Sequence, residues 1–185
     1  MSLDQQFDEV LAAAQTGADW ALSALYRDLH PRVLYYVLAQ EPAAGEDLAS
    51  DVWMDVASGL PGFAGNESAL RAWVFTIARR RLIDHRRRVS RRKTSPFALE
   101  QLALRGPIGN VEDEALARLD TTAALDRIAA LPHDQAQVVL LRVLGGLSAE
   151  EVAVILGKRA GAVRALQFRA LRQLARTVSR EAVTE

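Results

Sequence analysis

A chain of 185 residues, 50% hydrophobic and 25% charged, has the composition of a folded protein with one medium domain or two small ones. It has no cysteine, which excludes disulfides, thiolate metal sites and cysteine nucleophiles, and no early apolar run to serve as a signal peptide or spanning helix, so a soluble, cytoplasmic protein without membrane insertion is expected. Net charge is zero, but residues 1–67 carry 11 acids and two arginines, residues 71–93 ten bases and one acid, Asp84, and residues 158–180 seven bases and no acid. Two cationic segments joined by a spacer suit one polyanion touched at two places, and nucleic acid is the commonest such polyanion. The acidic first third asks for a different, basic partner.

In chain order, Phe7, Val10, Leu11 and Ala14, then Leu22, Leu25, Tyr26, Leu29, Val33 and Val37, recur at helical spacing and predict two helices separated at Gly17. Pro31 should kink or restart the second, because its ring supplies no amide hydrogen. After a turn at residues 41–45, a helix over about 46–59 sets Leu48, Val52 and Val56 on one stripe and Asp47, Asp51 and Asp55 on the stripe beside it. Ligands for a divalent metal usually come from several elements, so the aspartate row reads as a solubilising face or a surface for a basic protein partner, with no metal expected.

Residues 60–68, LPGFAGNES, form a loop, and Ser68 is placed to cap the helix that follows. Phe63 is either a side chain that stacks on an unpaired base or an anchor in the core, and the loop is the best candidate for base contact. The next helix opens on Trp73, Val74, Ile77 and Ala78 and continues into the arginine run, so its apolar half docks while its basic half projects. Residues 94–111, rich in Pro and Gly, read as a linker with at most a short helix at 97–105.

The helical pattern resumes from Glu112 with Leu116, Leu119, Leu125 and Ile128, and a buried helix begins after Pro132 and stops at Gly145 and Gly146. Ser148 with Glu151 makes a capping box, Gly157 closes that helix in the left-handed conformation, and a helix runs from near Ala160 to about Arg180. A short helix, a tight turn and a basic helix make a helix-turn-helix, with Val163, Leu166, Ala170 and Leu174 on one side of the second helix and Arg164, Arg169, Arg172 and Arg176 on another. Arg164, Ala165, Phe168 and Arg169 are placed near base edges, and Lys158, Arg159, Arg172 and Arg176 on phosphates. Phe168 meets either a thymine methyl or a neighbouring helix.

His30, His85 and His133 lack ligand spacing, and there is no Gly-rich phosphate loop or nucleophile motif, so no catalytic residue, cofactor, small-molecule substrate or enzymatic activity is expected. The fold class expected is all-α, two small helical domains joined by a flexible linker, the second a helix-turn-helix.

AGEDLASDVWMDV followed by LRAWVFTIARRRLIDHRRR resembles the second conserved region of the extracytoplasmic-function (ECF) group of bacterial sigma factors, and LPHDQAQVVLLRVLGGLSAEEVAVILGKRAGAVRALQFRALRQL resembles its fourth. The resemblance covers nearly the whole chain and implies a region 2 domain at 1–93, a linker at 94–111 and a region 4 domain at 112–185. It implies binding of core RNA polymerase through Asp47, Asp51, Trp53 and Asp55 to the beta-prime clamp, with the beta flap as a further contact. Promoter minus-ten DNA would meet Phe63, Gly65, Asn66, Glu67, Ser68, Trp73, Arg79, Arg80, Asp84, Arg86, Arg87 and Arg88. The segment from Arg159 through Arg172 would read the minus-thirty-five element, and an anti-sigma factor would be the regulatory partner. The chain departs from the group's pattern at Arg80, where many members have Asn, and at Ala165 and Leu166, where Ser and Arg are frequent. A stand-alone helix-turn-helix regulator of duplex DNA is the other reading open at this point.

Overall fold

The computed structural model describes residues 6–93 and 123–181, all of whose regular elements are helical. They are α1 (Phe7–Gln15), α2 (Asp19–Leu38), α3 (Gly45–Gly59), α4 (Glu67–Lys93), α5 (123–129), α6 (His133–Val143), α7 (Ala149–Leu156) and α8 (Ala160–Glu181). The linker, its short helix and the positions of Leu116 and Leu119 lie outside the described residues.

The first module is α1 to α4. Apolar side chains at helical spacing face one core: Phe7, Val10, Leu11 and Ala14 from α1, Leu25, Leu29, Val33, Tyr36 and Val37 from α2, Leu48, Val52 and Val56 from α3, and Leu70, Val74, Phe75, Ala78 and Leu82 from α4. Pro31 lies inside α2, which continues through it without restarting. The ring lies on the exposed face, while Leu29 and Val33 on either side stay buried against the same core. A short 3-10 turn, Leu60–Gly62, leads from α3 into the loop before α4. The Gln15 amide donates to the carbonyls of Leu60 and Phe63 at 3.1 and 2.6 Å and staples that loop to the end of α1.

In the second module α6 and α7 both pack on α8. Local signals set α7 as the sequence predicts. The Ser148 hydroxyl accepts from the Glu151 amide at 3.1 Å, the Glu151 carboxylate accepts from the Ser148 amide at 2.6 Å, and Gly157 ends the helix at φ 63°. Arg142 on α6 donates to the Leu147 carbonyl and, at 3.2 Å, to Gln167 of α8, so one guanidinium holds the turn and the following helix together.

The two modules do not stand apart. Val138, Leu140, Leu141, Leu147, Val152 and Val163 of the second belong to the same contiguous apolar cluster as the core of the first, and α4 touches α7. The Tyr36 hydroxyl, fully buried and edge-on to Phe75 at 5.3 Å between ring centroids, donates to Gln137 Oε1 of α6 at 3.0 Å. Burial pushes that hydroxyl up to about 12, so it remains a proton donor at any physiological pH.

Candidate nucleic-acid and partner interfaces

Along α3 the aspartate row divides. Asp55 is spent within the fold: Arg81 grips it with two nitrogens, one at 2.7 Å, and Arg80 adds a third hydrogen bond at 2.9 Å. The Arg81 hydrogen bond, helped by Arg80, outweighs burial and holds the Asp55 carboxyl below its ordinary range. Asp47 stays exposed, and Met54, 70% exposed, adds an apolar group to that side of the module.

Replacing Asp55 with alanine is expected to cost about 1–2 kcal/mol at neutral pH, since a two-pronged arginine pair is stronger than an ordinary surface one. A carboxyl depressed by folding stabilises above its unfolded pKa and loses that contribution as pH falls through the folded value. The gap in thermal midpoint between Asp55→Ala and the parent should therefore close below about pH 4. A constant gap down to pH 2 would show that the ion pair is not its cause.

Trp53 points inward. Its ring meets Tyr26 at 4.8 Å and Tyr26 stacks on His30 at 4.4 Å; Trp53 and Tyr26 line an apolar cleft of about 690 Å³ together with Leu22, Val56 and Val74. The Trp53 indole nitrogen and His30 Nδ1 are buried without a hydrogen-bond partner, and burial lowers the His30 pKa. Sequence reasoning missed this aromatic group, although Tyr26 and His30 at i, i+4 were legible as neighbours on one helix.

At the loop, Phe63 lies against Trp73 at 5.2 Å and is half-buried, the anchoring alternative of the two. Gly65 permits this approach, because a Cβ there would stand 2.9 Å from the Ala69 Cβ and 3.0 Å from the Phe63 ring. The cap of α4 is Asn66, whose Oδ1 accepts from the Ala69 amide at 2.9 Å, and not Ser68 as the sequence suggested. Because α4 begins at Glu67, Ser68 already lies inside the first turn, and its hydroxyl donates instead to Glu151 of α7 at 2.5 Å.

The basic run on α4 is partly neutralised by the acidic first third. Glu67 pairs with Arg71, Asp55 with Arg80 and Arg81, and Glu41 with Arg86 at 2.6 Å. Among the described residues Arg79, Arg87 and Arg88 form no ion pair; Arg87, Arg88 and Asp84 are exposed. Arg79 lies about three turns, and Arg87 and Arg88 between about five and six turns, along α4 from the loop of Phe63 to Ser68.

On the helix-turn-helix, Arg159 is exposed just before α8, and Arg164, Ala165, Phe168, Arg169, Arg172 and Arg176 are exposed along it, while Val163 and Ala170 are buried beneath, as the helical wheel requires. Phe168, 61% exposed, carries the Arg172 guanidinium over its ring at 5.7 Å instead of packing on another helix. Lys158 is tied to Asp134 at 2.7 Å, and this hydrogen bond outweighs burial to keep the Asp134 carboxyl low. Arg164 is paired with Glu150, both well exposed, so the pair is readily exchanged for a phosphate or base.

Two helical modules, one offering a pinned loop and a long arginine-rich helix and the other an exposed basic helix of a helix-turn-helix, define a DNA-binding protein of bipartite design. Residues 25–92 match the family described as Sigma-70 region 2, and residues 121–174 match Sigma-70, region 4. The chain is 34% identical over 182 residues to the ECF RNA polymerase sigma factor BldN of Streptomyces coelicolor, covering 94% of this chain and 66% of BldN. It is 35% identical over 131 residues to the ECF RNA polymerase sigma factor ShbA of Streptomyces griseus subsp. griseus, covering 70% of this chain and 69% of ShbA. A solved structure of the sigma factor RpoE in complex with the anti-sigma factor NepR from Bartonella quintana shares the fold, with a TM-score of 0.63 at 22% identity over 85% of this chain and 96% of that one.

The chain belongs to the ECF group of RNA polymerase sigma factors, proteins that direct transcription initiation. The stand-alone regulator is thereby set aside, since region 2 accompanies the helix-turn-helix in the same chain. No helix among the described residues is long and apolar enough to cross a membrane.

Proposed function

We propose that residues 1–93 dock on core RNA polymerase and hold the minus-ten strand, that residues 94–111 connect, and that residues 112–185 read the minus-thirty-five duplex. Asp47 and Asp51, with Trp53 shaping the module beneath them, face the beta-prime clamp; Asp55 serves by fixing α3 to α4. The Phe63 to Ser68 loop and Trp73 form the base-capturing element, and Arg79, Arg87 and Arg88 neutralise the backbone, with Arg80, Asp84 and Arg86 shaping the helix beside them. In the second module Arg164, Ala165, Phe168 and Arg169 face base edges, and Lys158, Arg159, Arg172 and Arg176 the phosphates.

The observation that carries this reading is that both modules keep exposed arginines that form no ion pair among the described residues, Arg87 and Arg88 on α4 and Arg169, Arg172 and Arg176 on α8. No step requires a catalytic residue, metal or cofactor, and the work is done in the cytoplasm, where polymerase and promoter DNA are. An anti-sigma factor is the regulatory partner; the complex of RpoE, a sigma factor of the same fold, with NepR supports that assignment.

Run-off transcription with purified core polymerase and DNA from upstream of this chain's own gene tests it. A start-specific transcript is expected only when both proteins are present, and it should be lost with Asp47→Lys. A chain that does not co-purify with core polymerase would overturn the proposal.

A further inference from the structure

The cleft between α2, α3 and the start of α4 is an apolar space of about 690 Å³, within the roughly 300–1,000 Å³ of sites that take small organic molecules. Its floor is the core itself, since Leu29, Val56 and Val74 line it and are buried core side chains. One wall is fixed in advance. Tyr26 stacks on His30 at 4.4 Å and meets Trp53 at 4.8 Å, so neither ring has to be ordered when the cleft is filled. Water in such a space keeps apolar surface wet, and an apolar body that displaced it would bury that surface.

Charge is confined to one lining residue. Arg27 carries it, and no carboxylate lines the cleft among the described residues. The Arg27 Nε donates to the Ser23 carbonyl at 3.1 Å, which lays the guanidinium along α2, and its terminal nitrogens form no hydrogen bond or ion pair among the described residues. The neighbouring Asp28 is engaged instead with Arg32, at 3.5 Å. Trp53, in the wall, has its indole N–H buried without an acceptor. An unpaired cation and an unpaired donor on an otherwise apolar cleft fit a ligand with negative oxygen acceptors at one end of an apolar body.

We propose that this cleft binds a single-chain amphiphilic carboxylate, a free fatty acid of medium length, with its chain over Leu29, Val56 and Val74 and its head on Arg27. The planar carboxylate matches the two terminal nitrogens that the bond to Ser23 leaves free, and a lining with one cation suits a head with one negative charge. A filled cleft ties α2 to α3 and α4 and so stabilises the first module.

Isothermal titration calorimetry of the full chain with octanoate, decanoate and dodecanoate, each below its micelle concentration, measures this. One site per chain is expected, with affinity rising about tenfold for each two carbons added, because each buried methylene contributes a factor of about three to four. Arg27→Gln should weaken dodecanoate about tenfold and strengthen dodecyltrimethylammonium, whose head carries the opposite charge. Ala57→Trp, at an exposed lining position, should abolish binding by filling the space. Circular dichroism of both variants checks that each is folded, and Arg27→Gln alone carries the test should Ala57→Trp not be.

No saturable heat from dodecanoate up to about 1 mM overturns the proposal. Binding indifferent to a folded Ala57→Trp places the ligand elsewhere and overturns the site. Equal affinity for the carboxylate and the ammonium amphiphile, or dodecanoate affinity unchanged by Arg27→Gln, overturns the head-group assignment. Retention of the chain on phosphatidylglycerol vesicles without binding of free dodecanoate would make the cleft part of a membrane-facing surface, and overturns the proposal as well.

Discussion

Replacing Arg87 and Arg88 together by alanine is expected to weaken promoter binding by the polymerase holoenzyme about 10- to 100-fold at moderate salt, and to reduce the slope of log affinity against log salt by about two. Both side chains are exposed on α4 and neither forms an ion pair among the described residues, so both are available to phosphates. Each phosphate that an arginine no longer neutralises keeps about one counterion, which is why the slope and not only the affinity reports on them. Arg80→Ala makes the contrast. Its guanidinium is engaged with Asp55, so its removal should shift stability more than the salt slope. Filter binding or fluorescence anisotropy over a salt series separates the two. If Arg80→Ala flattened the slope as much as the double variant, the division of the basic run into structural and DNA-facing arginines would be wrong.

Phe75→Ala should lower stability by about 3–5 kcal/mol, a large part of the roughly 5–15 kcal/mol typical of a protein of this kind. The ring is fully buried in α4, packs edge-on to Tyr36, and lies in the cluster shared by both modules, so truncation opens a cavity that few neighbours are free to fill. Phe75→Leu fills most of that space and should cost much less, about 1–1.5 kcal/mol. Urea unfolding followed by circular dichroism measures both. Equal midpoints for the two variants would place Phe75 outside the core. The effect should reach the second module, because Tyr36 is held by Phe75 on one side and donates to Gln137 on the other.

The helices and their ends were legible in the amino-acid sequence because their causes are local. The Ser148 and Glu151 capping box, Gly157 at the end of α7, Gly17 between α1 and α2, and the apolar stripe of α8 all act over a few residues, so periodicity and turn chemistry suffice to place them. The error at the start of α4 is of the same local kind: Asn66 and Ser68 both suit a cap, and the backbone entry from the loop selects Asn66. The two basic segments were equally legible, since runs of charge without a counter-charge stand out in one dimension.

Which charges remain after folding was not legible, and only the tertiary structure decided it. Arg81 finds Asp55 across 26 residues, Arg86 finds Glu41 across 45, and Ser68 finds Glu151 across 83. Such pairings depend on how α3, α4 and α7 are laid against one another, which no local propensity encodes. The acidic first third, which by its composition asks for an external basic partner, is in part already answered by the arginines of α4. Sequence alone therefore determined that this protein has two helical modules with basic surfaces and a helix-turn-helix. The packing of the helices determined which arginines and which aspartates are taken up in ion pairs, and that Tyr36 and Gln137 join the modules, because distance in space and competition for counter-charges exist only in three dimensions.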